Sequence, residues 1–147
     1  MHPLLKGVPI FAGLEEEALS TLLNRASQLT IGAGQVVVRE GETSNRFFLI
    51  GSGSVIVCKR FETSEQITLA TLGAGEFFGE MCILETLPRA ATVITVPETE
   101  LFSIPSVAFY HLHQSFPAQY SIMILNIARD LSRRLRRIDE SFAAKHC

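Results

Sequence analysis

From residue 28 to residue 104 the chain runs in short stretches rich in Val, Ile, Thr and Phe, broken by Gly32, Gly34, Gly41, Gly51, Gly53, Gly73, Gly75 and Gly79. That rhythm predicts strands over 28–31, 35–39, 46–50, 54–60, 66–72, 91–96 and 100–104. No helical pattern separates them, which disfavours a parallel doubly wound sheet and points to an antiparallel sandwich or barrel. Upstream, Leu14, Leu19, Leu22 and Leu23 share one helical stripe, opened by Glu15, Glu16 and Glu17 where carboxylates complement the helix dipole. Beyond Pro105 the period turns helical again, first over 107–113 and then from Pro117 to about Ala144, with Pro117 suited to a first helical turn. The predicted fold is mainly β with flanking α. It is a double-stranded β-helix, a jelly-roll-like β-roll, with an N-terminal helix and a long C-terminal helix.

Length fixes how much of this forms one body. At 147 residues and 16.2 kDa the chain matches one domain: a helical segment 1–27, a roll 28–104 and helices 105–147. With 47% hydrophobic and 19% charged residues it can bury enough apolar surface to offset ordering entropy. The formal charge of -2 lacks the positive field of a nucleic-acid binder, so an anion must be caught by a local site. Cys58, Cys82 and Cys147 have no zinc-type spacing and no signal peptide precedes them, which suits a reducing cytoplasm. No apolar run approaches the roughly 20 residues a membrane span needs. No membrane association is expected.

The chemistry concentrates in Phe77-Phe78-Gly79-Glu80-Met81-Cys82, continuing through Glu85-Thr86-Leu87 to Pro88-Arg89-Ala90-Ala91-Thr92-Val93. This reads as a glycine-led turn opening one helical turn, followed by an arginine at the entrance to a strand. Unpaired N–H groups at such a start form an anion pocket, and a guanidinium nine residues later can fold back to grip two phosphate oxygens in its fork. Glu80 would repel a phosphate it faced, so it is better placed to accept from a neighbouring sugar hydroxyl. A phosphate and a hydroxyl on one ligand describe a nucleotide. The competing reading is a structural Glu80–Arg89 ion pair closing the turn.

These residues resemble the phosphate-binding cassette of the cyclic nucleotide-binding domains, in particular the sensor domains of bacterial catabolite activators. Arg39-Glu40-Gly41-Glu42, Phe48-Leu49-Ile50, Gly53-Ser54-Val55 and Leu72-Gly73-Ala74-Gly75 are similar to that family's β-roll framework. The resemblance implies that Glu80 bonds the ribose 2′-hydroxyl and Arg89 pairs with the cyclic phosphate. It also implies that backbone N–H groups near Gly79, Met81, Cys82 and Ala90, with Ala91 beside them, complete the cradle. Guanine-selective relatives often carry Thr after the arginine; Ala90 here favours cyclic AMP over cyclic GMP. Cys82 stands where the family keeps a small residue and reads as a small buried hydrophobe. Val57 and Leu69 are candidate walls of the base pocket, with core packing as the competing role.

In the last helix Ile124, Ala128, Leu131, Leu135, Ile138 and Phe142 follow a 4, 3, 4, 3, 4 spacing. That spacing is a coiled-coil seam, read here as a homodimer interface resembling the dimer helix of the catabolite activators. Packing on the chain's own roll competes for the same residues. Arg129, Arg133, Arg134, Arg136 and Arg137 form mostly a solvated face, with Asp130 four before Arg134. By register with the bacterial activators, Arg134 and Leu135 fall where the family covers the purine.

The expectation is a regulatory sensor and not an enzyme, with a cyclic nucleotide as ligand, no cofactor, no metal and an unidentified downstream protein. His111 and His113, two apart on a helix, diverge by about 200° and cannot chelate one ion. The predicted roll contains no histidine, which weakens a cupin-like metal enzyme, and no Ser/His/Asp or Cys/His arrangement is apparent. A further alternative is the sensor portion of a transcription regulator whose helix-turn-helix output domain is absent from this chain. No direct nucleic-acid binding is expected from these residues.

Overall fold

A computed structural model describes residues 3–5, 7–84 and 88–146. Glu85, Thr86 and Leu87 of the cassette, and Cys147, lie outside the described residues. Two 3-10 turns, Pro3–Leu5 and Pro9–Phe11, precede helix α1, Glu16–Leu23. Strands β1 Ser27–Ile31, β2 Val36–Val38, β3 Arg46–Ser52, β4 Ser54–Lys59, β5 Ile67–Gly73 and β6 Phe77–Phe78 follow. The short helix α2, Met81–Leu84, leads to β7 Thr92–Thr95 and β8 Thr99–Pro105, then to helices α3 Ser106–Ser115 and α4 Pro117–His146.

The strands form two four-stranded antiparallel sheets, in the orders β1-β8-β3-β6 and β2-β7-β4-β5. Each predicted strand is found within a few residues of its expected limits, and β6 is additional. Two residues are too few to show a period, and β6 exists because Phe48 and Leu49 of β3 pair with Phe78 and Phe77.

Strand β3 is buried on both faces, and its sequence explains why. Successive side chains on a strand point to opposite sides, so Phe47 and Leu49 join the cluster beneath the helices while Phe48 and Ile50 enter the core between the sheets. Phe77 and Phe78 divide in the same way. The stacked pairs Phe47–Phe77 and Phe48–Phe78, with centroids 5.4 and 5.0 Å apart, therefore lie on opposite faces of one sheet. Gly53 turns the chain from β3 to β4 at φ 89°, and a Cβ there would stand 2.8 Å from the Glu98 carbonyl oxygen.

The first part of α4 belongs to the domain core. Met123 and Ile127 are buried, Tyr120 and Leu131 pack beside them, and Asn126 Nδ2 donates to the carbonyls of Ile10 and Ala12 at 3.1 and 2.9 Å. Two apolar stripes thus overlap on this helix. Leu131, placed in the seam by its spacing, packs against the chain's own core. The seam's distal members Leu135, Ile138 and Phe142 are 61%, 46% and 64% exposed.

Candidate functional site

The end of β6, the Gly79 turn, α2 and the approach to β7 surround a cavity of about 330 Å³, closed on one side by the distal half of α4. Gly79, Glu80, Met81, Cys82, Arg89, Ala90 and Ala91 all line it. Val57 and Leu69 line it from β4 and β5, and Arg134 and Leu135 from α4. Every ligand-contact residue singled out from the sequence therefore faces one space. Sequence reasoning missed Ser44, which reaches the cavity from the loop before β3, and the lining role of Leu131 and Ile138. Spacing within 77–93 carries no signal for any of these three.

Arg89 is the centre of the site. Only 9% exposed, it is held by a backbone exchange with the 41–42 loop: its N–H donates to the Glu42 carbonyl at 2.7 Å and its carbonyl accepts from Gly41 N–H at 2.8 Å. Its Nη2 donates to Ser44 Oγ at 2.8 Å and to the Arg46 carbonyl at 2.6 Å, which occupies both hydrogens on that nitrogen. The expected two-oxygen fork is thus already half committed to protein. What remains for a ligand is Nε, buried with no hydrogen-bond partner, and Nη1, which lies against Gly79.

Gly79 is required there on two grounds. It sits at φ 81°, and a Cβ would stand 2.5 Å from Arg89 Nη1 and 2.8 Å from the Arg46 carbonyl oxygen. The structural ion pair considered for Glu80 and Arg89 is not formed. Among the described residues the ion pairs are Lys59–Glu40, Arg60–Glu65, Arg134–Asp130 and Arg137–Glu76. Burial pulls the Arg89 pKa below the usual guanidinium value, opposed by Cys82, Glu80 and Glu42, and an arginine stays charged under such shifts. A buried cation with an unused donor and no paired carboxylate among the described residues calls for an anion.

The backbone cradle is narrower than the motif implied. Helix α2 has only four residues, and the Cys82 N–H donates to the Gly79 carbonyl at 3.3 Å, so the turn itself uses a group expected to face the ligand. The Cys82 side chain is half-buried and burial pushes its thiol pKa up, against a smaller downward pull from Arg89. A neutral thiol follows, as expected of a space-filling cysteine.

On the α4 side, Arg134 does more than cover the cavity. Its Nη2 donates to the Phe77 carbonyl at 2.5 Å, its Cζ stands 4.2 Å from the Phe77 ring centroid, and Asp130 Oδ2 lies 3.3 Å from Nη2. One turn on, Arg137 Nη2 approaches Glu76 Oε1 at 3.4 Å. The helix is thereby fastened to the two residues that enter β6. His111 and His113 sit on α3, the latter edge-on to Tyr120 at 4.8 Å. Among the described residues no His/Cys/Asp/Glu cluster could hold a metal ion, and no helix is long and apolar enough to cross a membrane.

Comparison with known proteins bears on the family and the fold. Residues 28–116 match the model of the family described as "Cyclic nucleotide-binding domain". The cyclic AMP receptor protein of Thermus thermophilus is 31% identical over 135 residues, which cover 92% of this chain and 61% of the relative. A cyclic nucleotide-gated potassium channel of Rhizobium etli is 36% identical over 114 residues, 78% of this chain and 30% of the channel. The chain thus spans about three fifths of the first relative's length and less of the second's. A crystal structure of a cyclic nucleotide-binding domain from Methylobacillus flagellatus superposes with a TM-score of 0.83, covering 97% of this chain and 80% of that one. At 22% identity that likeness concerns the fold alone.

Proposed function

The chain belongs to the cyclic nucleotide-binding domain family, and from that premise we propose that it is a cyclic AMP sensor whose binding energy is passed to helix α4. The observation that carries this reading is Arg89: buried, charged, without a paired carboxylate among the described residues, and with Nε unused at the wall of a nucleotide-sized cavity. Glu80, on the same wall, serves the ribose, and Val57 and Leu69 face the base. Ala90 after the arginine favours adenine, since its methyl offers no hydrogen bond to a guanine amino group. Regulation without catalysis fits the relatives, which are named as a receptor and a channel.

The direct test is calorimetric titration with cyclic AMP, cyclic GMP and unmodified AMP. Binding of cyclic AMP, weaker binding of cyclic GMP and none of AMP is the expected order; no heat with either cyclic nucleotide rejects the reading. Glu80→Gln should weaken cyclic AMP but leave the affinity for 2′-deoxy cyclic AMP close to wild type, because the lost acceptor serves the 2′-hydroxyl. Equal losses for both ligands would remove Glu80 from the ribose.

Self-association through α4 is part of the same proposal. The helix is about 45 Å long at 1.5 Å per residue, and its distal half carries the exposed Leu135 and Ile138 in continuity with Ile124 and Ala128. Leu131 and Leu135 also line the cavity, so charges there would disturb two functions. Ala128→Glu and Phe142→Glu are the cleaner changes. In sedimentation the wild-type chain should be a dimer at tens of micromolar and each variant a monomer, since an unpaired carboxylate at an apolar contact is costly. A monomeric wild type removes the seam.

A further inference from the structure

Ser44 has no place in the motif reading, yet its hydroxyl occupies a position that its hydrogen bonds define closely. Ser44 Oγ accepts from Arg89 Nη2 at 2.8 Å and from the Arg46 N–H at 3.2 Å. A serine hydroxyl has two lone pairs and one hydrogen. Both lone pairs are therefore used, and the hydroxyl can only donate. Among the described residues nothing accepts that hydrogen, while the side chain lines the same cavity as Arg89, Gly79 and Ala90.

We propose that Ser44 is a further ligand-binding residue, donating its hydroxyl hydrogen to a charged phosphate oxygen of the cyclic nucleotide beside Arg89. This rests on the nucleotide-binding reading above. The chemistry selects the acceptor. A group that only donates needs a ligand atom with free lone pairs, and the anionic oxygens are the strongest acceptors on the ligand. Receiving a hydrogen bond from a cation also polarises the hydroxyl, so its own O–H becomes a better donor. Arg89 and Ser44 then act as one unit, with the guanidinium supplying charge through Nε and Nη1 and extending its reach through Nη2 and the serine.

The position is stable without the ligand's help. Thr43 bridges to Pro88, and residues 41–42 exchange backbone hydrogen bonds with Arg89, so the loop carrying Ser44 is tied to both ends of the arginine's backbone unit. Among the described residues Ser44 Oγ is held by the Arg46 N–H and by Arg89 Nη2, and the second of these bonds fixes Arg89 in turn. A role confined to holding the arginine is therefore the rival the experiment must separate.

The experiment titrates the wild-type chain, Ser44→Ala and Ser44→Thr with cyclic AMP and cyclic GMP, and records the 31P chemical shift of bound cyclic AMP. Ser44→Ala should lose about tenfold to a hundredfold in affinity, the range of a hydrogen bond to a charged group. Ser44→Thr, which keeps the hydroxyl, should stay within about threefold of wild type, an effect smaller than one such bond. The 31P signal should move in the alanine variant, because the donor is removed from the phosphate itself. An alanine variant that binds like wild type, a threonine variant that falls with it, or a loss of affinity with an unmoved 31P signal each overturns direct donation. If alanine at this position prevents folding, a crystal structure of the wild-type complex decides. Ser44 Oγ within about 3.0 Å of a phosphate oxygen upholds the proposal, and separation beyond about 3.5 Å overturns it. Failure of the wild-type chain to bind either cyclic nucleotide rejects the nucleotide-binding reading as well, a result distinct from all of these.

Discussion

Arg89→Ala should reduce affinity for cyclic AMP by two orders of magnitude or more while changing the unfolding midpoint of the ligand-free chain only slightly. Each hydrogen bond to a charged group is worth about 1.5–3 kcal/mol, and two guanidinium nitrogens remain for the ligand after Nη2 is spent on Ser44 and Arg46. The small effect on folding has a separate cause. Arg89 is only 9% exposed and its guanidinium has no carboxylate partner among the described residues, so the fold bears its desolvation, and removal relieves that cost while orphaning the Arg46 carbonyl. The two terms oppose. Arg89→Lys should fail to rescue binding, because one ammonium on a shorter arm cannot reach Ser44 Oγ, the Arg46 carbonyl and a phosphate together. The measurement pairs calorimetric titration with urea unfolding. Wild-type affinity in either variant would take Arg89 out of the phosphate site.

The arginine was legible because part of what surrounds it in space is also close to it in sequence. Gly79, Glu80 and Arg89 lie within eleven residues, and the glycine's role follows from its φ of 81° and its contact with the guanidinium. The apolar run Phe47-Phe48-Leu49-Ile50 similarly announces a strand, although only the structure shows that it is buried on both faces and which face each ring takes. Three features were hidden for physical reasons. Ser44 meets Arg89 across 45 positions, and its loop sequence resembles any polar turn. The acceptor of Arg134 is the backbone carbonyl of Phe77, and a carbonyl leaves no mark on residue choice. On α4 a spacing of three and four is satisfied by two stripes at once, Tyr120-Met123-Ile127-Leu131 toward the core and Ile124-Ala128-Leu135-Ile138 beside it, so periodicity alone could not assign Leu131.

That division of α4 sets the terms for the second large effect, the coupling of the cavity to the helix. Cutting the chain after Pro117 would remove Met123 and Ile127 and expose the core they fill, so it would report on folding. Cutting after Ala128 keeps both residues and the Asn126 hydrogen bonds but removes Leu131, Arg134, Leu135 and Ile138, the whole α4 wall of the cavity. This shortened chain should bind cyclic AMP with about ten- to a hundredfold lower affinity and with a smaller difference between cyclic AMP and cyclic GMP, matching the ~1–3 kcal/mol typical of coupled sites. Arg134→Ala in the full chain should reproduce part of that loss. It removes a charged hydrogen bond and a ring contact that fasten α4 to Phe77, two residues before Gly79. A ligand can favour the fastened helix only if its contacts are better there than when the helix is released. Linkage then requires the reverse, so saturating cyclic AMP should slow hydrogen exchange across residues 131–142 in the wild type and do so less in Arg134→Ala. Unchanged exchange in the wild type, together with wild-type affinity in the chain cut after Ala128, would mean that the cavity takes its nucleotide without engaging the helix that closes it.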